Sequence, residues 1–142
     1  MSGDCVSGDI KIMYERATGL VVAKVAGRYE QSEAERQWSQ IDLVCKANHT
    51  RFILFDARER DYDVDPSLAF AGFVRLAERA VGKTIATVHR DTHRDIGMAG
   101  MLAGESVWNE VRFFLDEEAA RTWLCREARA GNSEPPAAAA YA

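Results

Sequence analysis

Arg51-Phe52-Ile53-Leu54-Phe55-Asp56 sets four apolar residues in a row between charged ends. A strand with one wet face alternates apolar and polar residues. An unbroken apolar run of this length marks a strand covered on both faces, as in the middle of a parallel sheet. Parallel neighbours need crossover helices, and the flanking sequence supplies them. Upstream, Ser32-Glu33-Ala34-Glu35 has the form of a capping box. Trp38, Ile41 and Cys45 follow at three- and four-residue spacing, with Ala34 above them, so this helix runs to about Ala47 and Asn48 ends it. Downstream, a loop of mixed charge leads to Asp65-Pro66, an N-cap followed by proline at the first helical position. The second helix runs to about Ala80, and Gly82 closes it.

Farther out, residues 10–16 alternate, with Ile10, Ile12 and Tyr14 on one face and Lys11 and Glu15 on the other. Ala17-Thr18-Gly19 is a turn whose glycine can take positive φ, and a second apolar strand over 20–25 completes a hairpin. Residues 84–88 form a further strand. A third helix begins at Thr92 or His93 and carries Ile96, Met98, Met101 and Leu102. Residues 111–115 make the fifth strand. Asp116-Glu117-Glu118 opens the last helix, where the macrodipole favours acids, and Ala120, Trp123 and Leu124 point inward. The order ββαβαβαβα predicts an α/β fold. Its single sheet has about five strands, an N-terminal hairpin and then largely parallel pairing, with about four helices. Residues 10–128 form the domain, 1–9 a flexible N-terminus and 129–142, rich in Pro and Ala, a disordered tail.

Composition narrows the function classes. The chain of 142 residues carries a net charge of −4, and its arginines alternate with acids, as in Asp56-Ala57-Arg58-Glu59-Arg60-Asp61. A nucleic-acid binder shows a basic face instead, so no nucleic-acid partner is expected. No basic stretch precedes an apolar run and no run approaches the length of a membrane span, so cytoplasmic residence is expected. Three scattered cysteines, Cys5, Cys45 and Cys125, outline neither a disulfide framework nor a metal motif, and the latter two are expected as small buried apolar groups on helices.

Three stretches carry a family likeness. Thr18-Gly19-Leu20-Val21-Val22-Ala23-Lys24-Val25-Ala26-Gly27-Arg28, Phe52-Ile53-Leu54-Phe55-Asp56-Ala57-Arg58, and Glu110-Val111-Arg112-Phe113-Phe114-Leu115 with the helix after it resemble the SpoIIAA-like branch of the STAS superfamily. The match spans about residues 9–128. It implies a regulatory, protein-binding role. The better-known members carry an Asp-Ser-Ser-Gly-like motif with a phosphorylated serine where a strand meets its helix. Here that place reads Asp65-Pro66-Ser67-Leu68, so the resemblance makes Ser67 the possible phospho-acceptor, although proline and leucine replace a serine and the glycine. A looser kinship with lipid-transfer domains implies a small apolar ligand as the alternative.

His89-Arg90-Asp91-Thr92-His93-Arg94-Asp95 is the most reactive-looking segment and sits at a strand-to-helix junction, where open α/β sheets bind ligands. A metal or acid–base site there would need His89 and His93 on one helix, and His89 belongs to the strand. His49, just past the first helix, suits a helix C-terminus. No nucleophile elbow or phosphate loop occurs, so neither catalysis nor a cofactor is expected. Gly97, Gly100 and Gly104 suggest close packing of the third helix against a neighbour. The second helix, Leu68-Ala69-Phe70-Ala71-Gly72-Phe73-Val74-Arg75-Leu76-Ala77, is apolar nearly all round, where covering a sheet needs only a stripe. Phe70, Phe73, Val74, Met98, Met101 and Leu102 are therefore the expected interface or ligand groove. A protein partner, self-association as a homodimer, or a small apolar ligand would occupy it.

Overall fold

The computed structural model describes residues 4–7 and 9–133. In chain order the elements are β1 (Asp4–Ser7), β2 (Ile10–Glu15), β3 (Leu20–Arg28), α1 (Gln31–Ala47), β4 (Phe52–Asp61), α2 (Pro66–Glu78), β5 (Thr84–Val88), a short 3-10 turn (Asp91–His93), α3 (Arg94–Glu105), β6 (Glu110–Phe114) and α4 (Glu117–Ser133). The strands form one sheet and lie across it in chain order. β1, β2 and β3 pair antiparallel, and β3 through β6 pair in parallel. The α/β fold, the hairpin and the parallel half are as the sequence predicts.

Alternation along the central strands divides the core in two. Val21, Ala23 and Val25 of β3, with Ile53, Phe55 and Ala57 of β4, face the helices α1, α2 and α3 and pack on Trp38, Ile41, Phe73, Leu76 and Ile96. Leu20, Val22, Phe52 and Leu54 face the other way and pack on Ala120, Trp123, Leu124 and Ala128 of α4. Both faces of the sheet are thus covered, which is why Phe52 to Phe55 are all buried. The glycines of α3 set its closeness to the sheet. A Cβ at Gly97 would collide with the Phe113 ring, and one at Gly104 with Val111.

Several boundaries differ from the sequence reading. Within the N-terminal stretch expected to be flexible, Asp4–Ser7 adds an edge strand on β2. The expected tail begins late, because α4 continues to Ser133. Gly131 does not break it, since a Cβ there would come within 2.8 Å of Arg51 Nη2, so this glycine permits close approach. The rest of the tail, 134–142, lies outside the described residues. The capping box is not formed. α1 starts two residues earlier, with Glu30 rather than Ser32 at its N-cap and no side-chain cap. Gln31 instead donates to Glu35 (3.0 Å) and to the Gly72 carbonyl (2.9 Å), tying α1 to α2. Cys45 is buried, but Cys125 is only half-buried.

The largest difference is in β4, which extends through the supposed loop to Asp61. β3 takes two steps from Lys24 to Ala26 while β4 takes three from Asp56 to Glu59. The extra residue is a bulge, and a bulge reverses which face later side chains meet. Arg60 therefore turns onto the helix-covered face that Phe55 and Ala57 occupy, and only 2% of it stays exposed.

Candidate functional site

The residues expected as one groove separate in the structure. Phe73 is core, 6% exposed, with its ring edge-on to Tyr29 at 5.7 Å. Val74 and Met101 are half-buried against the same core. Phe70 is just exposed, whereas Met98 (43%) and Leu102 (53%) stand out on α3 and Leu68 (84%) stands out on α2. Met98 and Leu102 are four apart, one turn along a single face. Arg94 and Glu105, also exposed, bracket them at the two ends of α3.

Beneath these helices lies a cavity of about 80 Å³ that the sequence did not reveal. Its floor is the sheet, with Phe55, Ile85 and Thr87, and its roof comes from Phe73 and Leu76 of α2 and Ile96 of α3. Tyr29, Tyr62, Ala77 and Gly100 are its partly exposed members and mark where it approaches the surface. Five buried polar side chains line it, all nearly sealed: Gln37, Arg60, Thr87, His89 and Asn109. Arg60 donates from Nη2 to Gln37 Oε1 (3.0 Å) and to the Ala26 carbonyl (3.3 Å). Its Nε, the amide nitrogen of Gln37 and Nδ1 of His89 are buried with no partner. His89 Nε2 lies 2.8 Å from Thr87 Oγ1. Burial pushes the imidazole down to about 4, helped by the nearby His93, so it is neutral at pH 7. Burial likewise pushes the Tyr29 phenol up to about 12.

The sequence hid Arg60 because its neighbours are charged and the bulge is invisible to a period-two count. The one usable signal was Ala57-Arg58-Glu59-Arg60, which continues a strand with no glycine or proline to stop it.

The remaining candidates do not converge. His89, expected on the strand, lies just past the end of β5 and lines the cavity, His93 packs edge-on to Tyr62 at 5.5 Å, and Asp91 pairs with Arg94 at 2.8 Å. Among the described residues no three His, Cys, Asp or Glu side chains group as metal ligands. His49 is exposed just past α1, as expected, in a left-handed conformation with φ of 53°. The Cys45 thiol is pushed up to about 12 by burial, so it is no nucleophile at neutral pH. Ser67 is the second residue of α2. Its hydroxyl donates to the Asp65 carboxylate at 2.6 Å, and its backbone N–H donates to the same oxygen at 2.9 Å. A phosphate on Ser67 would have to displace that carboxylate from the helix start. No helix among the described residues is long and apolar enough to cross a membrane.

No family model and no curated protein matches the sequence. In structure the chain is similar to an uncharacterized DUF3478-family protein with a SpoIIAA-like fold from Shewanella loihica PV-4. The TM-score is 0.56 at 18% identity, over 88% of this chain and 96% of that one. At that identity the likeness speaks to architecture alone, and with the hairpin, the parallel strands and the split core it shows that this chain has a SpoIIAA-like fold.

Proposed function

We propose that this chain is a non-enzymatic regulatory interaction domain that pairs with a second copy of itself through the outward stripe of α3 and the adjoining edge of α2. The observation that carries this reading is the exposure of Met98 and Leu102 as neighbours on one face, with Phe70 and Leu68 on the next helix. Adjacent exposed apolar side chains mark contact surfaces. The charges around them favour self-pairing over a foreign partner. A two-fold contact matches a patch with itself. With α3 antiparallel to its copy, Met98 meets Leu102, and Arg94 at one end meets Glu105 at the other. Light scattering on eluting protein tests the reading. Wild type is expected at twice the 15.8 kDa chain mass, and Met98→Glu with Leu102→Glu at one chain mass with an unchanged circular dichroism spectrum. A wild-type chain that stays monomeric at every concentration overturns it. Phe73→Glu is unsuited to this purpose, because Phe73 is core and its loss tests folding.

A second reading, a small-ligand carrier, has the cavity in its favour. At about 80 Å³ that space is smaller than the ~150 Å³ that holds benzene. An acyl chain does not fit, so the ligand of such a carrier would be smaller than a lipid.

A further inference from the structure

We propose that the cavity under α2 and α3 is a binding site for a short-chain monocarboxylate. This inference is independent of self-pairing and rests on different residues. Arg60 is the leading observation. A guanidinium is almost never fully buried without an anionic partner, because its desolvation goes uncompensated. Here the side chain is sealed, its hydrogen bonds go to a neutral amide and a backbone carbonyl, and no carboxylate of the described residues forms an ion pair with it. The described residues thus hold a positive charge in the interior and set no carboxylate in an ion pair with it, the buried Asp56 being paired with Arg58 instead.

The second observation is the nature of the unpartnered atoms around the same space. Arg60 Nε and Gln37 Nε2 can only donate. His89 adds one more ring nitrogen, which donates if its Thr87 contact is made as an acceptor. Buried donors of this kind are rare in native folds and call for an acceptor. An oxyanion answers the charge and the donors together, and carboxylate is the geometry that a guanidinium edge fits. The third observation is the apolar part of the lining, since the polar Thr87 and Asn109 have hydrogen-bond partners of their own. Phe55, Phe73, Ile85 and Ile96 offer only apolar surface, which suits a hydrocarbon body and disfavours a phosphate or sulfate with oxygens on every side. Volume sets the length. About half the space that holds benzene accommodates roughly three to five heavy atoms, the size of acetate or propionate.

Calorimetric titration of the full chain with propionate, against propionamide and inorganic phosphate, tests the assignment. Propionate is expected to bind saturably and at least tenfold more tightly than its neutral amide, with no binding of phosphate. Arg60→Met is expected to abolish that preference. Since a core substitution can unfold the chain, Gly100→Leu is the companion variant. Gly100 lines the cavity, an added Cβ there meets no atom within 4 Å, and leucine is the better helix former. It is expected to fold and to lose propionate binding. Absence of saturable binding to wild type, meaning the cavity holds water alone, overturns the proposal. So does equal affinity for the amide, equal affinity for phosphate, or propionate binding that survives Gly100→Leu.

Discussion

Arg60 and His89 show how far a single residue's environment is set by geometry that its neighbours in sequence conceal. Both are charged or chargeable types, both belong to polar-looking stretches, and both end up in the core. The β4 bulge explains Arg60. The end of β5, with its side-chain alternation through Ile85 and Thr87, explains His89. One consequence is measurable. Unfolded, a histidine takes its proton near pH 6.5; folded, His89 does so only at about 4. Between those values the unfolded chain holds the extra proton. The stability is therefore fully present above about pH 6.5 and is lost as pH falls towards 4, by about 3 kcal/mol in all. Urea denaturation across this range should show the fall, and His89→Gln should remove most of it. An identical pH profile in the variant would mean that His89 is not held neutral by burial.

At the scale of elements, the helices were legible because each carries an apolar stripe and a start or stop signal of ordinary chemistry. Asp65 caps α2 through Ser67 as its sequence indicates, and Gly19 takes positive φ in the hairpin turn. What failed were signals whose outcome depends on a distant element. The Ser32 box was pre-empted when Gln31 and Glu35 were drawn to α2 and to Arg79. β1 carries no alternation strong enough to be read, and it exists because β2 offers an open edge. The seat of α4 is another such long-range arrangement. Arg121 makes two hydrogen bonds to Glu15, at 2.8 and 2.7 Å, and a third to Glu117, which in turn receives Arg58 from the Asp56 pair. These hydrogen bonds, Arg121 foremost, hold the Glu15 carboxyl below its usual range. A lowered carboxylate stabilises above its unfolded value, near 4.3, and that contribution is lost as pH falls through the folded value. The pair is partly exposed, so its worth is about 1 kcal/mol. Arg121→Met should cost that much at pH 7 and little at pH 3, as read from urea midpoints. An equal cost at both pH values would assign the effect to the packing of the arginine stem.

For the molecule as a whole, the sequence reading foresaw the layered plan and the surplus of apolar surface on α2 and α3, but did not divide that surplus. Part of it roofs a cavity and part faces outward, and only the packing of α2 and α3 on a common sheet decides which residue does which. Phe73 went inward and Met98 and Leu102 outward for that reason. The cavity itself was illegible, since no local pattern records a space left between three helices and a bulged strand.

Self-pairing across the α3 stripe depends on its end charges, and sedimentation velocity on a charge-exchange set reads that dependence. Arg94→Glu and Glu105→Arg should each shift the chain from dimer towards monomer, because each sets like charges together at both ends of the two-fold contact. The double variant, with opposite charges restored, should sediment as a dimer again. A monomeric wild type, or a double variant no more associated than either single one, would rule out pairing through this stripe.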